Sequence, residues 1–197
     1  MHSDSPLETH PWPPYIPDGA KVLIMGTFPP QEKRWAMNFY YPNKTNDFWK
    51  IMGIIFHSDP NALYDPESGR YNLEKIKALL DANHIALHDT GHIVRRLKGN
   101  ASDKFLEIVE PTDIRKLLDR MPECNTIATT GEKAARVVAD LTGTDVPAMG
   151  RMVTSPDGLR IWRMPSTSRA YPLKAELKAA HYAEMFHQLG IPSSSSE

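Results

Sequence analysis

Short apolar runs alternate along the chain with segments whose apolar residues recur every three or four positions. Lys21-Val22-Leu23-Ile24-Met25, His84-Ile85-Ala86-Leu87-His88, Thr126-Ile127-Ala128-Thr129 and Arg160-Ile161-Trp162-Arg163-Met164 are runs of the first kind; the first stops at Gly26 and the last at Pro165. Runs this short predict strands of a parallel sheet covered on both faces. Between them, Asp47 is placed to N-cap a helix carrying Phe48, Trp49, Ile51 and Met52. Leu73, Ile76, Leu79 and Leu80 form the apolar stripe of a helix over 73–82, and Thr112 or Asp113 opens another with Ile114, Leu117 and Leu118. Helical patterns over 132–141 and 173–189 complete the set. Strands alternating with helices imply right-handed crossovers and an α/β fold around a parallel sheet. In such a sheet the working residues lie just beyond the C-terminal strand ends. That directs attention to residues 26–49, 88–98, 129–133 and 164–171.

The ends of the chain read differently. Pro11-Trp12-Pro13-Pro14-Tyr15-Ile16-Pro17 cannot be helical, because each proline lacks an N–H and restrains its predecessor. Residues 1–18 are therefore expected to drape over a single domain spanning 19–191, and 192–197, a serine run ending in Glu197, to form a disordered tail. The chain has 197 residues, 23 Lys+Arg against 24 Asp+Glu, and a formal charge of −1, which excludes a uniformly basic coat but not a local basic groove. The single cysteine, Cys124, excludes an intrachain disulfide, a four-cysteine zinc site and a thiolate-bound cluster, and points to a reducing compartment. No run approaches the ~18 apolar residues of a membrane span. The polar Met1–Thr9 segment does not read as a secretory signal. A cytoplasmic protein without membrane contact is expected. Asn100-Ala101-Ser102 fits a glycosylation acceptor, a triplet common by chance.

Two segments concentrate candidate chemistry. Gly26-Thr27-Phe28-Pro29-Pro30 follows the first strand, and the aromatic-rich passage Asn38 to Trp49 follows that. Phe48 and Trp49 have core spacing. Tyr40 and Tyr41 adjoin Pro42 and cannot both face inward on an extended segment, so one of them is free to line a pocket. Asn43 and Asn46 are ordinary turn and capping types. After the fourth strand, Pro165 precedes three hydroxyls, Ser166, Thr167 and Ser168, and then Arg169, just ahead of a long helix; this suits a phosphate. Lys33, Arg34, Arg95, Arg96, Lys98 and Lys174 share that end of the sheet. Thr129-Thr130-Gly131-Glu132-Lys133 lacks the length of a nucleotide phosphate loop. His88-Asp89-Thr90-Gly91-His92 lies at a strand end and not on a helix, which disfavours metal ligation, and no Gly-x-Ser-x-Gly elbow is present.

Gly26-Thr27-Phe28-Pro29-Pro30 with Tyr40-Tyr41-Pro42-Asn43-Lys44-Thr45-Asn46-Asp47-Phe48-Trp49, followed by Pro165-Ser166-Thr167-Ser168-Arg169-Ala170, resembles the uracil-DNA glycosylase superfamily. The nearest branch is the mismatch-specific and hypoxanthine-DNA glycosylase group, and the likeness extends over about residues 20–190. The resemblance implies a three-layer α/β/α sandwich with a central four-stranded parallel sheet. It also implies cofactor-free, metal-free hydrolysis of the N-glycosidic bond of a damaged base flipped out of DNA by a monomer. On that reading Thr27, Phe28, Tyr40, Tyr41 and Asn43 line the base pocket, and Ser166, Thr167, Ser168 and Arg169 press on the DNA backbone. Mismatch-specific relatives hold a water with an Asn where this chain has Phe28. The hypoxanthine branch lacks that Asn, and Asn46, in the Asn-x-Phe-Trp pattern, is the candidate to replace it, with Asp89 in reserve for activating water. Relatives place His or Asn where Met164 precedes Pro165-Ser166. Phe28 and Met164 leave open a non-catalytic nucleic-acid-binding relative. An unrelated α/β enzyme acting on a nucleoside or phosphorylated substrate is the third reading.

Overall fold

The computed structural model describes residues 5–98 and 103–194; the Asn100-Ala101-Ser102 triplet and residues 195–197 of the expected tail lie outside them. The chain runs β1 (Leu7–Thr9), β2 (Val22–Gly26), α1 (Phe48–His57), β3 (Tyr64–Asp65), β4 (Arg70–Tyr71), α2 (Leu73–Ala82), β5 (Ile85–Asp89) and β6 (Gly91–Arg96). It continues with β7 (Leu106–Pro111), α3 (Ile114–Leu118), β8 (Thr126–Thr130), α4 (Glu132–Thr142), β9 (Arg151–Thr154), β10 (Arg160–Met164) and α5 (Ala175–Gln188).

The four apolar runs form the parallel strands β5, β2, β8 and β10, side by side in that order. Alternation along each strand divides its side chains between two cores. Val22 and Ile24 face α1, α2 and α5, packing with Trp49, Ile76 and Phe186. Leu23 and Met25 face α3 and α4, packing with Ile114, Leu117 and Val138. The three layers expected from the sequence are thus present. Burying two strand faces in this way leaves loops at the sheet ends as the places where polar groups can converge.

Several features depart from expectation. The sheet has a fifth strand, β9, antiparallel on the β10 edge. It carries no apolar run because its residues are mostly exposed, so no buried-strand pattern exists to be read. Residues 88–98 are not merely a loop: β6 begins almost at once after β5 and pairs with β1 and β7 in a second, antiparallel sheet. The lead-in is non-helical, yet it contributes β1, and Tyr15 exchanges backbone hydrogen bonds of 2.9 Å with Leu87 on the free edge of β5. Among the described residues, no helix is long and apolar enough to cross a membrane.

Candidate active site

A pocket of about 780 Å³ opens at the C-terminal end of the parallel sheet, where β2, β5, β8 and β10 deliver their following loops. Its floor is Gly26. A side chain there would project toward Asp89 Oδ1 at 3.0 Å, Thr130 Oγ1 at 3.2 Å and the Tyr41 hydroxyl at 3.2 Å. The absence of a Cβ therefore leaves a small nook bounded by three oxygens. Asp89 is 5% exposed. Its Oδ2 lies 2.8 Å from His10 Nε2, whereas Oδ1 accepts no hydrogen bond from any described residue. Burial, and then the Asp89 charge, push the Tyr41 phenol up, which keeps its proton in place as a donor.

The walls come from both segments singled out in the sequence. Tyr41 stacks on Phe48 with ring centroids 3.9 Å apart and an interplanar angle of 18°. Its φ of 53° is the left-handed region, uncommon for an aromatic residue and held here by that stacking. Phe28 lies opposite, edge-on to His10 at 5.4 Å, with the Arg96 guanidinium 5.6 Å from its ring centroid. The two loops are joined by a short antiparallel ladder. Asp47 N–H donates to Thr167 O at 2.7 Å, Arg169 N–H donates to Thr45 O at 3.1 Å, and Asn46 bridges Ser168. Beneath the ladder the buried Asp47 carboxylate receives Lys178 Nζ at 3.2 Å and Arg169 Nε at 3.3 Å. Lys178, itself fully buried, also donates to Ser168 O at 2.9 Å. One helix thereby holds both loops in register.

No family model matches the chain. A hypoxanthine DNA glycosylase of Methanosarcina barkeri is 26% identical over 123 residues, covering 62% of this chain and 71% of that protein. A solution NMR structure from Methanosarcina acetivorans, provisionally named a uracil DNA glycosylase, superposes with a TM-score of 0.61 at 21% identity. It covers 94% of this chain and 99% of that one. The chain shares the fold of that structure. The resemblance drawn from the two motifs is supported, and the sequence likeness lies on the hypoxanthine side.

Within this fold the candidate residues distribute unevenly. Thr27, Phe28, Tyr41, Asn43, Asn46, Asp89, Ser166, Thr167, Ser168 and Arg169 all line the one pocket. Tyr40 does not. It is 1% exposed in the core, where its hydroxyl lies 2.9 Å from Pro13 O and 2.7 Å from His88 Nδ1. Of the tyrosine pair, Tyr41 lines the pocket, because Tyr40 is turned beneath the lead-in.

Other side chains are more committed than their residue types suggested. Asp47 does not cap α1 with its side chain; Asn46 Oδ1 accepts from Phe48 N–H at 2.9 Å instead, leaving its NH₂ group and a second lone pair. Asn43 Nδ2 donates to Thr45 Oγ1, and Thr27 Oγ1 donates to Asp103 Oδ1 at 2.7 Å. Arg169 is not a free backbone contact: besides Asp47, it donates from its terminal nitrogen to Lys44 O at 2.9 Å. Ser166 Oγ and Ser168 Oγ accept from Ser168 N–H and Ala170 N–H, so those amides are occupied, and Thr167 is 2% exposed. Arg95 pairs with Glu107, and the buried Arg96 with Glu8, which removes both from any basic groove.

Sequence reasoning passed over Asp103 and Lys178, and named Thr130 without assigning it to the site. Desolvation raises the Asp103 carboxyl, and Asp89 adds to this, against opposing contributions from the Thr27 hydroxyl and Lys133. Nothing local marks Asp103 or Lys178; Thr130 sat in a flagged strand end. Among the described residues, no group of three or more His, Cys, Asp and Glu is placed to hold a metal.

Proposed function

We propose that this protein is a DNA glycosylase that hydrolyses the N-glycosidic bond of a flipped deaminated base, uracil or hypoxanthine. In that reaction the C1′–N bond breaks, the base leaves with the bonding pair, and a water oxygen bonds to C1′ and loses a proton. The observation that supports this best is the pocket floor. A buried carboxylate oxygen stands beside a glycine with no side chain, in a pocket also lined by Tyr41 and Phe28. Asp89 is suited to stabilise the developing sugar cation and to take the water's proton. Asn46 is suited to orient that water through its remaining lone pair, or to read the base edge with its NH₂ group. Tyr41 and Phe28 offer faces for stacking. Among the described residues no lysine lines the pocket, and an amine is what a strand-cleaving lyase would need, so the reaction is read as monofunctional. DNA is the partner, and the protein acts as a monomer without a cofactor.

The test is a strand-nicking assay on labelled oligonucleotides carrying one uracil, hypoxanthine, xanthine or mismatched thymine, with alkali to reveal abasic sites. Base release is expected from uracil or hypoxanthine. Asn46→Ala and Asp89→Asn are each expected to lower it by on the order of 100-fold or more, with oligonucleotide binding kept within about threefold. Loss of binding and release together in Asn46→Ala would remove its water-positioning role. Salt-sensitive binding with no release from any substrate would favour the non-catalytic relative, for which Met164, buried at the end of β10, is the motivating observation.

A further inference from the structure

The lead-in brings a buried side chain against Asp89 that neither motif contains. His10 follows β1 directly. Its N–H donates to His92 O at 2.8 Å, and the flanking Glu8 is held by Arg96. Two residues on, Trp12 Nε1–H donates to Asn38 Oδ1 at 2.6 Å. The imidazole is 2% exposed, edge-on to Phe28 and stacked with Tyr40 at 5.8 Å. Nε2 lies 2.8 Å from Asp89 Oδ2.

The other ring nitrogen decides which tautomer faces Asp89. Nδ1 lies 2.9 Å from Trp12 O and 3.2 Å from Trp12 N. A carbonyl only accepts and an amide N–H only donates. The cationic ring donates Nδ1–H to the carbonyl and Nε2–H to Asp89. The neutral ring accepts from the Trp12 amide and carries its proton on Nε2. Either way a proton stands between Nε2 and Asp89 Oδ2, so the carboxylate has a constant donor on that oxygen and presents the other to the Gly26 nook.

We propose that His10 is a positioning residue for base release, holding Asp89 Oδ2 so that Oδ1 points at the reacting water and sugar. This rests on the glycosylase reading. It makes the lead-in part of the active site, since His10 reaches Asp89 only when β1 is paired with β6.

The experiment measures single-turnover release from the oligonucleotide on which the native protein acts, and affinity for the same oligonucleotide by fluorescence anisotropy, in His10→Leu and His10→Gln. His10→Leu keeps the packing and removes the donor. It is expected to slow release by on the order of 10–100-fold, the worth of one hydrogen bond to a charged group, with affinity within about threefold of native, because the positioned oxygen acts in the transition state and not in ground-state binding. His10→Gln restores a donor near Nε2 and is expected to recover most of the rate. In an Asp89→Asn background, His10→Leu is expected to add little further loss, because the group it positions is already gone. Native release unchanged by His10→Leu would overturn the role while leaving the glycosylase reading intact. Equal loss of rate and affinity in both variants would reduce His10 to packing. If His10→Leu does not fold, a native rate in His10→Asn, whose shorter amide cannot reach Asp89, overturns the role. No release by the native protein from any substrate would end the reading and the role together.

Discussion

Gly26 has an ordinary backbone conformation, so its lack of a side chain matters for space and not for φ. Gly26→Ala is expected to push against Asp89 Oδ1, Thr130 Oγ1 and the Tyr41 hydroxyl at once. The overpacking should cost about 1–3 kcal/mol in urea unfolding and lower base release by on the order of tenfold or more. Native-like release from a stable Gly26→Ala protein would place the reacting atoms away from the nook. At this same scale the tyrosine pair shows how far local pattern reaches. Alternation along an extended segment predicted that one of Tyr40 and Tyr41 would leave the core, but the segment turns at Tyr41, whose φ is 53°, and which ring lines the pocket depended on the lead-in, whose Pro13 carbonyl accepts from the Tyr40 hydroxyl. Asp47 is a similar case. Its residue type suited a cap, yet two cations from distant segments claimed the carboxylate, and Asn46 took the capping bond.

Elements with a strong period were legible and those without were not. The helices over 73–82 and 132–142 carry their apolar residues on one stripe, and the four buried strands are nearly continuous apolar runs. β6 and β7 mix His, Arg and Glu with Ile and Val, because their sheet is solvated on one side, and β9 is an exposed edge. The pairing of lead-in and β5 also creates a pH dependence. Since the Pro13 carbonyl can only accept, the Tyr40 hydroxyl donates to it and accepts from His88 Nδ1–H. His88 thus carries a proton on Nδ1, and burial lowers its pKa from 6.5 to about 4, against a partial opposing pull from Asp89, so the folded ring is neutral at pH 7. Between those values the unfolded chain binds more protons than the folded one. Stability should be full above pH 6.5 and fall as the pH drops toward 4, by on the order of 3 kcal/mol. Urea unfolding across that range should show the slope, and His88→Asn, which keeps a donor near Nδ1, should flatten it. An identical slope in the variant would exclude His88 as its source.

Over the whole molecule the near-zero net charge conceals an uneven surface. Arg95, Arg96, Arg115 and Arg136 are spent on ion pairs with Glu107, Glu8, Asp157 and Glu132. Arg34 lines the pocket, and exposed Lys33, Lys98, Lys104 and Lys174 are available for phosphates. Oligonucleotide affinity is expected to fall linearly on a log–log plot against salt, with a slope near −2 or steeper. Arg34→Ala should make that slope shallower by about 1 for every sequence tested. A salt-independent affinity would argue against a phosphate-reading surface. The sequence by itself determined the α/β class, the helices, the four parallel strands and the two loops that form the pocket. These follow from period and from turn residues, which act over a few neighbours. Only the tertiary structure decided that His10 meets Asp89 and that Lys178 holds Asp47. It also turned Tyr40 inward and left an oxygen-lined nook above Gly26. Those contacts join residues up to 131 positions apart, and no local pattern carries a distance that only the folding of the whole chain creates.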